Sequence, residues 1–267
     1  MRFPLPLPVF FTTGVAVSAI AISACTTVPD TGRRQLNILP ASQEISMGLT
    51  EFQKYKQEKR ISNDPQMNAR LQRVAAQLTR VIPLPDAQWE FVVFEDATPN
   101  AFALPGGKVG VHTGLFEITE NDAGLAAVVG HEIAHVVARH GGERVSQTTM
   151  TGVAGSLLQA GLKGASGITS GQSSAILGAY GAASSLGVIL PFSRKQELEA
   201  DELGALYMAR AGYDPHEAVA MWERFAAYKG RAGSGSKPEF LSTHPVDSTR
   251  IAKLNEFMPR AMSEYRG

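Results

Sequence analysis

The hydrophobic positions along the chain change period twice, and each change marks a boundary between kinds of element. From Ser42 to Lys59 apolar residues recur at Ile45, Leu49, Phe52 and Tyr55, which predicts a helix. A second helix is announced by Asp64-Pro65, with proline in its first turn, and runs through Met67, Leu71, Val74 and Leu78 until Pro83 and Pro85 stop it. The stretch WEFVVFED (89–96) is rich in β-formers and KVGVHTG (108–114) alternates. With NAFALPGG between them, these predict a small sheet. After Asn121-Asp122 the helical period returns, and Leu125, Val128, Val129, Ile133, Val136 and Val137 make a strongly apolar helix.

Beyond residue 150 the pattern is less regular. Residues 151–192 are rich in Gly, Ala and Ser, and carry no charge from Gly164 to Ser193. Repeated Gly and Ser make this a poor membrane span, so a helical cover or insertion is expected. SRKQELEADELGALYMARAG (193–212) is clearly helical, and another helix begins at Asp214-Pro215 with Val219, Trp222 and Phe225 on one side. KGRAGSGSKPE (229–239) has the composition of a flexible loop. A turn at His244-Pro245 precedes a final helix. Residues 25–40 show no sustained period and read as an extended tether. The expectation is an α+β fold, mostly helical with a small sheet, with one domain over 41–260.

Composition narrows the function. The chain has 267 residues, 44% of them hydrophobic, enough for one substantial core. Lys+Arg and Asp+Glu number 25 each, and neither half carries a basic run, so nothing favours nucleic acid as a partner. The N-terminus, MRFPLPLPVFFTTGVAVSAIAISAC, places Arg2 before a charge-free apolar stretch and small residues at Ser23-Ala24. That is the layout of a secretory signal over 1–24, of the lipoprotein type. Cys25 is the sole cysteine, so no internal disulfide can form and a lipid attachment point is its simplest use. Thr26 carries no inner-membrane retention signal of the aspartate kind. The expected place is therefore the bacterial envelope, at the outer membrane facing the periplasm in a Gram-negative cell.

The apolar helix contains HEIAHVVARH (131–140). Residues four apart on a helix differ by about 40° and one turn, so His131 and His135 present two imidazoles to one point. Glu132 can reach a water there without being a ligand. His140 falls about 140° away from His135 on an ideal helix. No glycine stands where a third-histidine pattern would break the helix, so His140 reads as a surface or packing residue. On the helix 193–212, Glu197 and Asp201 share a face at i, i+4, while Glu199 points the other way. Glu197, the longer, is the expected third ligand; Asp201 is expected to accept the free N–H of a liganding histidine. Two histidines, a carboxylate and an open position describe one hydrolytic Zn2+ per chain, with Glu132 as base. His244 is a candidate oxyanion donor, or alternatively a fourth ligand that keeps the enzyme latent. The segment Asn100, Ala101, Phe102 fits an edge strand on which an extended peptide could pair.

Together, HEIAHVVARHGGER (131–144), SRKQELEAD (193–201), NAFALPGG (100–107), GYDP (212–215) and STHP (242–245) resemble, in order, the M48 family of zinc metallopeptidases. That family includes HtpX-like and CAAX-prenyl proteases, and the chain looks most like its LoiP-like outer-membrane lipoprotein branch. The resemblance implies a gluzincin-type zincin domain and endopeptidase activity in envelope protein quality control. It implies ligands at His131, His135 and Glu197, a catalytic Glu132, the supporting Asp201 and the HP-motif histidine His244. Arg250 matches an arginine often found after that motif. Implied partners are protein or peptide substrates, the membrane through the N-terminal lipid, and envelope assembly or protease components. A non-catalytic or latent zinc-containing assembly factor remains the alternative.

Overall fold

The computed structural model describes residues 25–149, 193–231, 239–245 and 247–267. The expected signal segment 1–24, the expected cover 151–192 and residues 232–238 of the expected loop lie outside the described residues.

The chain opens with a short antiparallel hairpin, β1 (Cys25–Thr27) and β2 (Arg34–Leu36), in which Cys25 faces Leu36. Helices α1 (Ala41–Glu58) and α2 (Pro65–Leu78) follow. Asp64 starts α2 by accepting from the backbone N–H groups of Gln66 and Met67, with Pro65 in the first turn where no donor is needed. Strands β3 (Glu90–Phe94), β4 (Ala101–Leu104) and β5 (Lys108–His112) form one sheet in the order β3-β5-β4. β5 runs parallel to β3 and antiparallel to β4. Then come α3 (Leu115–Thr119), α4 (Asp122–Val137), α5 (Arg194–Arg210), α6 (His216–Arg231), α7 (Glu239–Thr243) and α8 (Ser248–Met262).

The alternation expected in β5 does not appear as an inside and an outside face, because all five of its residues are buried. The main core covers one side; Phe52 of α1 with Phe94 and Leu104 covers the other. Its polar ends are satisfied in place. Lys108 Nζ donates to the Gln88 carbonyl at 2.6 Å, and His112 Nε2 lies 2.7 Å from the Tyr55 hydroxyl.

Helix α4 is the centre of the molecule. Asn121 caps it by accepting from the Gly124 N–H at 2.8 Å. Nearly every residue from Gly124 to Val137 is buried, against α2, α3, α5, α6 and β4. A helix apolar on all sides has to be internal. Its closest neighbour is α5, and Gly130 and Gly204 make that closeness workable. A Cβ on Gly204 would stand 3.0 Å from the His131 backbone nitrogen, and one on Gly130 would stand 3.3 Å from the Gly204 carbonyl oxygen. This crossing carries the acidic residues of α5 to the histidines of α4.

Residues 25–40 pack against the body of the domain. Val28, Gln35, Asn37 and Leu39 are buried, and the hairpin is fastened to the body by polar contacts. Gln35 Nε2 donates to the Ala138 carbonyl at 2.7 Å, and Arg33 reaches Glu143 and Glu199. The segment lacks a hydrophobic period because side-chain hydrogen bonds to distant residues, rather than an apolar face, hold it.

Candidate metal centre

Four side chains from three elements meet at one point. His131 and His135 come from α4, Glu197 from the first turn of α5, and His244 from the turn after α7; their donor atoms all lie within 4.8 Å of one another. The Nε2 atoms of His131 and His135 are 3.1 Å apart. His244 Nδ1 lies 3.3 Å from His131 Nε2 and 3.0 Å from Glu197 Oε1. All four residues are buried. Ser193 and Gln196 form a capping box that starts α5 and so sets Glu197 in its first turn.

Around this set stands a layer of braces. Asp201 Oδ1 is 2.9 Å from His131 Nδ1, although the ring N–H is not aligned as a hydrogen bond. Arg250, buried, grips Asp201 through Nε at 2.8 Å and Nη2 at 2.7 Å. Its Nη1 pairs with Glu197 Oε2 at 2.6 Å and donates to the Pro245 carbonyl at 3.0 Å. The guanidinium lies 4.2 Å from the Trp222 ring centroid, and His244 stacks on Phe240 with centroids 4.6 Å apart. Asp247 caps α8 by accepting from the Arg250 N–H, which sets the arginine's place in the turn.

The electrostatics follow from this burial. Burial pushes the Glu132 carboxyl up, against the pull of His244 and His131. Burial would also raise Glu197, but His244 and the Arg250 guanidinium outweigh it and hold that carboxyl well below the usual range. Asp201 is likewise lowered, burial being overcome by Arg250 and His131. His135 is pushed well below the ordinary histidine value by burial.

This donor set fits a divalent cation. The Nδ1 atoms of His131 and His135 face Asp201 and His140, both at 2.9 Å, which leaves the two Nε2 atoms directed at a shared point. Two imidazole nitrogens 3.1 Å apart cannot both carry a proton toward each other. Two buried carboxylates, Glu197 and Asp201, also share the buried Arg250 guanidinium. A cation answers both the converging lone pairs and the excess negative charge, and imidazole with carboxylate suits zinc.

The structure therefore brings His131, His135, Glu197 and His244 together, with Glu132 beside them: its Oε1 is 3.3 Å from His244 Nε2. Asn100 and Ala101 are buried and Phe102 is half-buried. Strand β4 pairs with β5 and has no other partner among the described strands. The Ala103 backbone amide acts on the Glu132 carboxylate, so the edge strand runs beside that residue. Cys25 is exposed at the start of β1.

His140 departs from the surface alternative. It is fully buried, and although outside the donor cluster it touches His135, with Nδ1 to Nδ1 at 2.9 Å. The ideal-helix angle fails because α4 ends at Val137 and Arg139 takes φ +52° without a glycine. Its guanidinium is held by the Leu39 carbonyl at 2.8 Å and by Glu44 at 2.6 Å. Sequence reasoning also missed Trp222 beneath Arg250 and the Arg33–Glu199 pair. A buried arginine is a signal only after its partners are known, and Glu199 stands among Glu197, Asp201 and Glu202, so no local pattern sets it apart.

A model of peptidase family M48 matches residues 65–258. The mitochondrial metalloendopeptidase OMA1 of Schizosaccharomyces pombe is 37% identical over 237 residues, covering 88% of this chain and 66% of the relative. The beta-barrel assembly-enhancing protease of Escherichia coli is 29% identical over 267 residues, covering 93% of this chain and 51% of the relative. A putative beta-barrel assembly-enhancing protease of Vibrio cholerae is 33% identical over 245 residues, covering 89% of this chain and 49% of the relative. The chain thus spans from about half to two thirds of the length of these relatives. It belongs to peptidase family M48, and its fold is the zincin-type metallopeptidase domain, mostly helical with small sheets. Among the described residues no helix is long and apolar enough to cross a membrane.

Proposed function

We propose that the chain is a zinc-dependent endopeptidase that cleaves unfolded or misassembled cell-envelope proteins. The observation that carries this reading is the convergence of four buried donors beside a buried glutamate whose carboxyl is pushed up. In this reading His131, His135 and Glu197 hold one Zn2+. When bound, that ion supplies Lewis acidity to a peptide carbonyl and brings the pKa of a water down to about 7. Glu132 takes the proton of the attacking water and returns it to the leaving amine. Burial suits it to the task, since a base works best with a pKa near the working pH. Arg250 and Asp201 keep Glu197 and His131 in place. An extended substrate adds to the open side of β4, its backbone bonded to the strand and its scissile bond beside Glu132.

The setting belongs to the same proposal. Cys25 carries a lipid that holds the domain at the bacterial envelope, at the outer membrane facing the periplasm. The names of the Escherichia coli and Vibrio relatives support an envelope-assembly role, and OMA1 supports the peptidase chemistry. Metal removal is the direct test. Stripping the chain with a chelator should abolish cleavage of an unfolded model protein, and one equivalent of zinc should restore it. Cleavage that survives chelation would overturn the reading.

A second reading is favoured by His244. Its Nδ1 sits in the donor set and its Nε2 approaches Glu132, so its ring fills the space in which water and substrate would be activated. In this form the peptidase is latent, and His244 must swing away before cleavage.

A further inference from the structure

His140 is used by neither the ligand set nor the base, yet it sits against a ligand. Its Nε2 lies 2.9 Å from Glu199 Oε2, and its Nδ1 lies 2.9 Å from His135 Nδ1. Donor and acceptor chemistry orders this chain of contacts. An ionised carboxylate only accepts, so the proton of His140 is on Nε2. A neutral imidazole has one N–H, so His140 Nδ1 is bare and accepts. His135 Nδ1 must then be the donor, which leaves its Nε2 bare. That is the nitrogen 3.1 Å from His131 Nε2 and 3.4 Å from Glu197 Oε1.

The far end of the relay is anchored by the N-terminal hairpin. Thr31 Oγ1 donates to Glu199 Oε1 at 2.6 Å, and Arg33 Nε donates to Glu199 Oε2 at 2.5 Å. The rest of the Arg33 guanidinium binds Glu143 through Nη1 at 2.8 Å and Nη2 at 2.9 Å. Gln35 holds the Ala138 carbonyl, just ahead of the Arg139 turn that swings His140 back. The span matched to the family begins at residue 65, so Thr31, Arg33 and Gln35 lie outside it.

We propose that His140 is a positioning residue of the metal centre, setting His135 with its Nε2 lone pair toward the metal, and that Glu199 and the hairpin residue Arg33 hold it there. This rests on His135 being a metal ligand. It gives α4 two different supports: a direct carboxylate for His131, and for His135 a carboxylate acting through a second imidazole. Such partners fix the tautomer and raise ligand basicity, and losing one typically costs about 10- to 100-fold in metal affinity.

The test uses the full chain and reads zinc affinity by competition with a chromophoric chelator, beside the melting temperature of the metal-free protein. His140→Phe, which keeps bulk and removes both nitrogens, should weaken zinc binding by about 10- to 100-fold. His140→Asn, which offers a polar atom near the Nδ1 position, should recover most of that loss, and Arg33→Leu should give a smaller loss than His140→Phe. A packing role alone would lower the melting temperature of the metal-free chain and leave affinity unchanged, which would overturn the proposal; so would equal losses in the Phe and Asn variants. Nitrogen-15 histidine spectra of the metal-free wild type need no variant to fold. They should show His140 protonated at Nε2 and His135 at Nδ1, and the opposite tautomers would overturn the proposal. A wild-type chain that binds no zinc would instead remove the ligand reading itself, and this inference with it.

Discussion

His244 Nε2 lies 3.3 Å from Glu132 Oε1, so one imidazole stands between the proposed base and the donor set that its own Nδ1 helps to form. Removing that ring should open the fourth position. The zinc-loaded His244→Ala variant should therefore degrade an unfolded protein several-fold faster than the parent, while still binding one zinc. Slower cleavage would assign His244 to stabilising the oxyanion rather than to latency.

Much of this centre was legible in the sequence, and the reasons differ by residue. His131, Glu132 and His135 stand four residues apart or fewer on one helix, so local geometry alone aligns them. Glu197 and Asp201 follow the same rule on α5. Arg250 needed the resemblance, and His244 could be offered from its turn only as one of two alternatives, because no local period ties a turn after α7 to a helix more than a hundred residues earlier. The docking of 25–40 was not legible at all. Strands β1 and β2 have three residues each, and their order comes from contacts such as Arg33 to Glu143 and Glu199, over 100 residues away.

Arg250 faces two buried carboxylates, Asp201 and Glu197, and is itself buried. Truncating one partner of a buried ion pair typically costs about 3–5 kcal/mol, because the other charge is left uncompensated. Arg250→Met should destabilise the metal-free chain by about that much in urea unfolding. Lysine should restore little, since one ammonium cannot reproduce the bidentate fork on Asp201. A near-neutral Arg250→Met would show that the carboxylates are otherwise satisfied.

The crossing of α4 and α5 depends on Gly204, whose Cβ would press on the His131 backbone at 3.0 Å. Backbone on both sides has little room to yield. Gly204→Val should cost about 1–3 kcal/mol, the usual range for overpacking. It should also weaken zinc binding, because it displaces Glu197 relative to the histidines. Zinc affinity unchanged in a stably folded variant would separate the crossing from the site.

Glu199 titrates at about 2: burial raises it, but His140, Thr31 and Arg33 outweigh burial. A carboxylate depressed in the folded state contributes stability above its ordinary value of 4.5, and that contribution is lost as pH falls from there toward about 2. In chelator-stripped protein, Glu199→Gln should be clearly less stable than the parent at pH 6. The gap should close progressively below the ordinary carboxylate value. Urea midpoints against pH measure this, and a constant gap would mean that Glu199 gains nothing from its charge.

Whether Glu132 is the base of a zinc peptidase is decided by cleavage and zinc content measured on the same samples of parent and Glu132→Gln. Both should hold one zinc per chain, and only the parent should cleave an unfolded protein, with the variant slower by about 100-fold or more. Equal cleavage by the two zinc-loaded proteins would contradict the assignment.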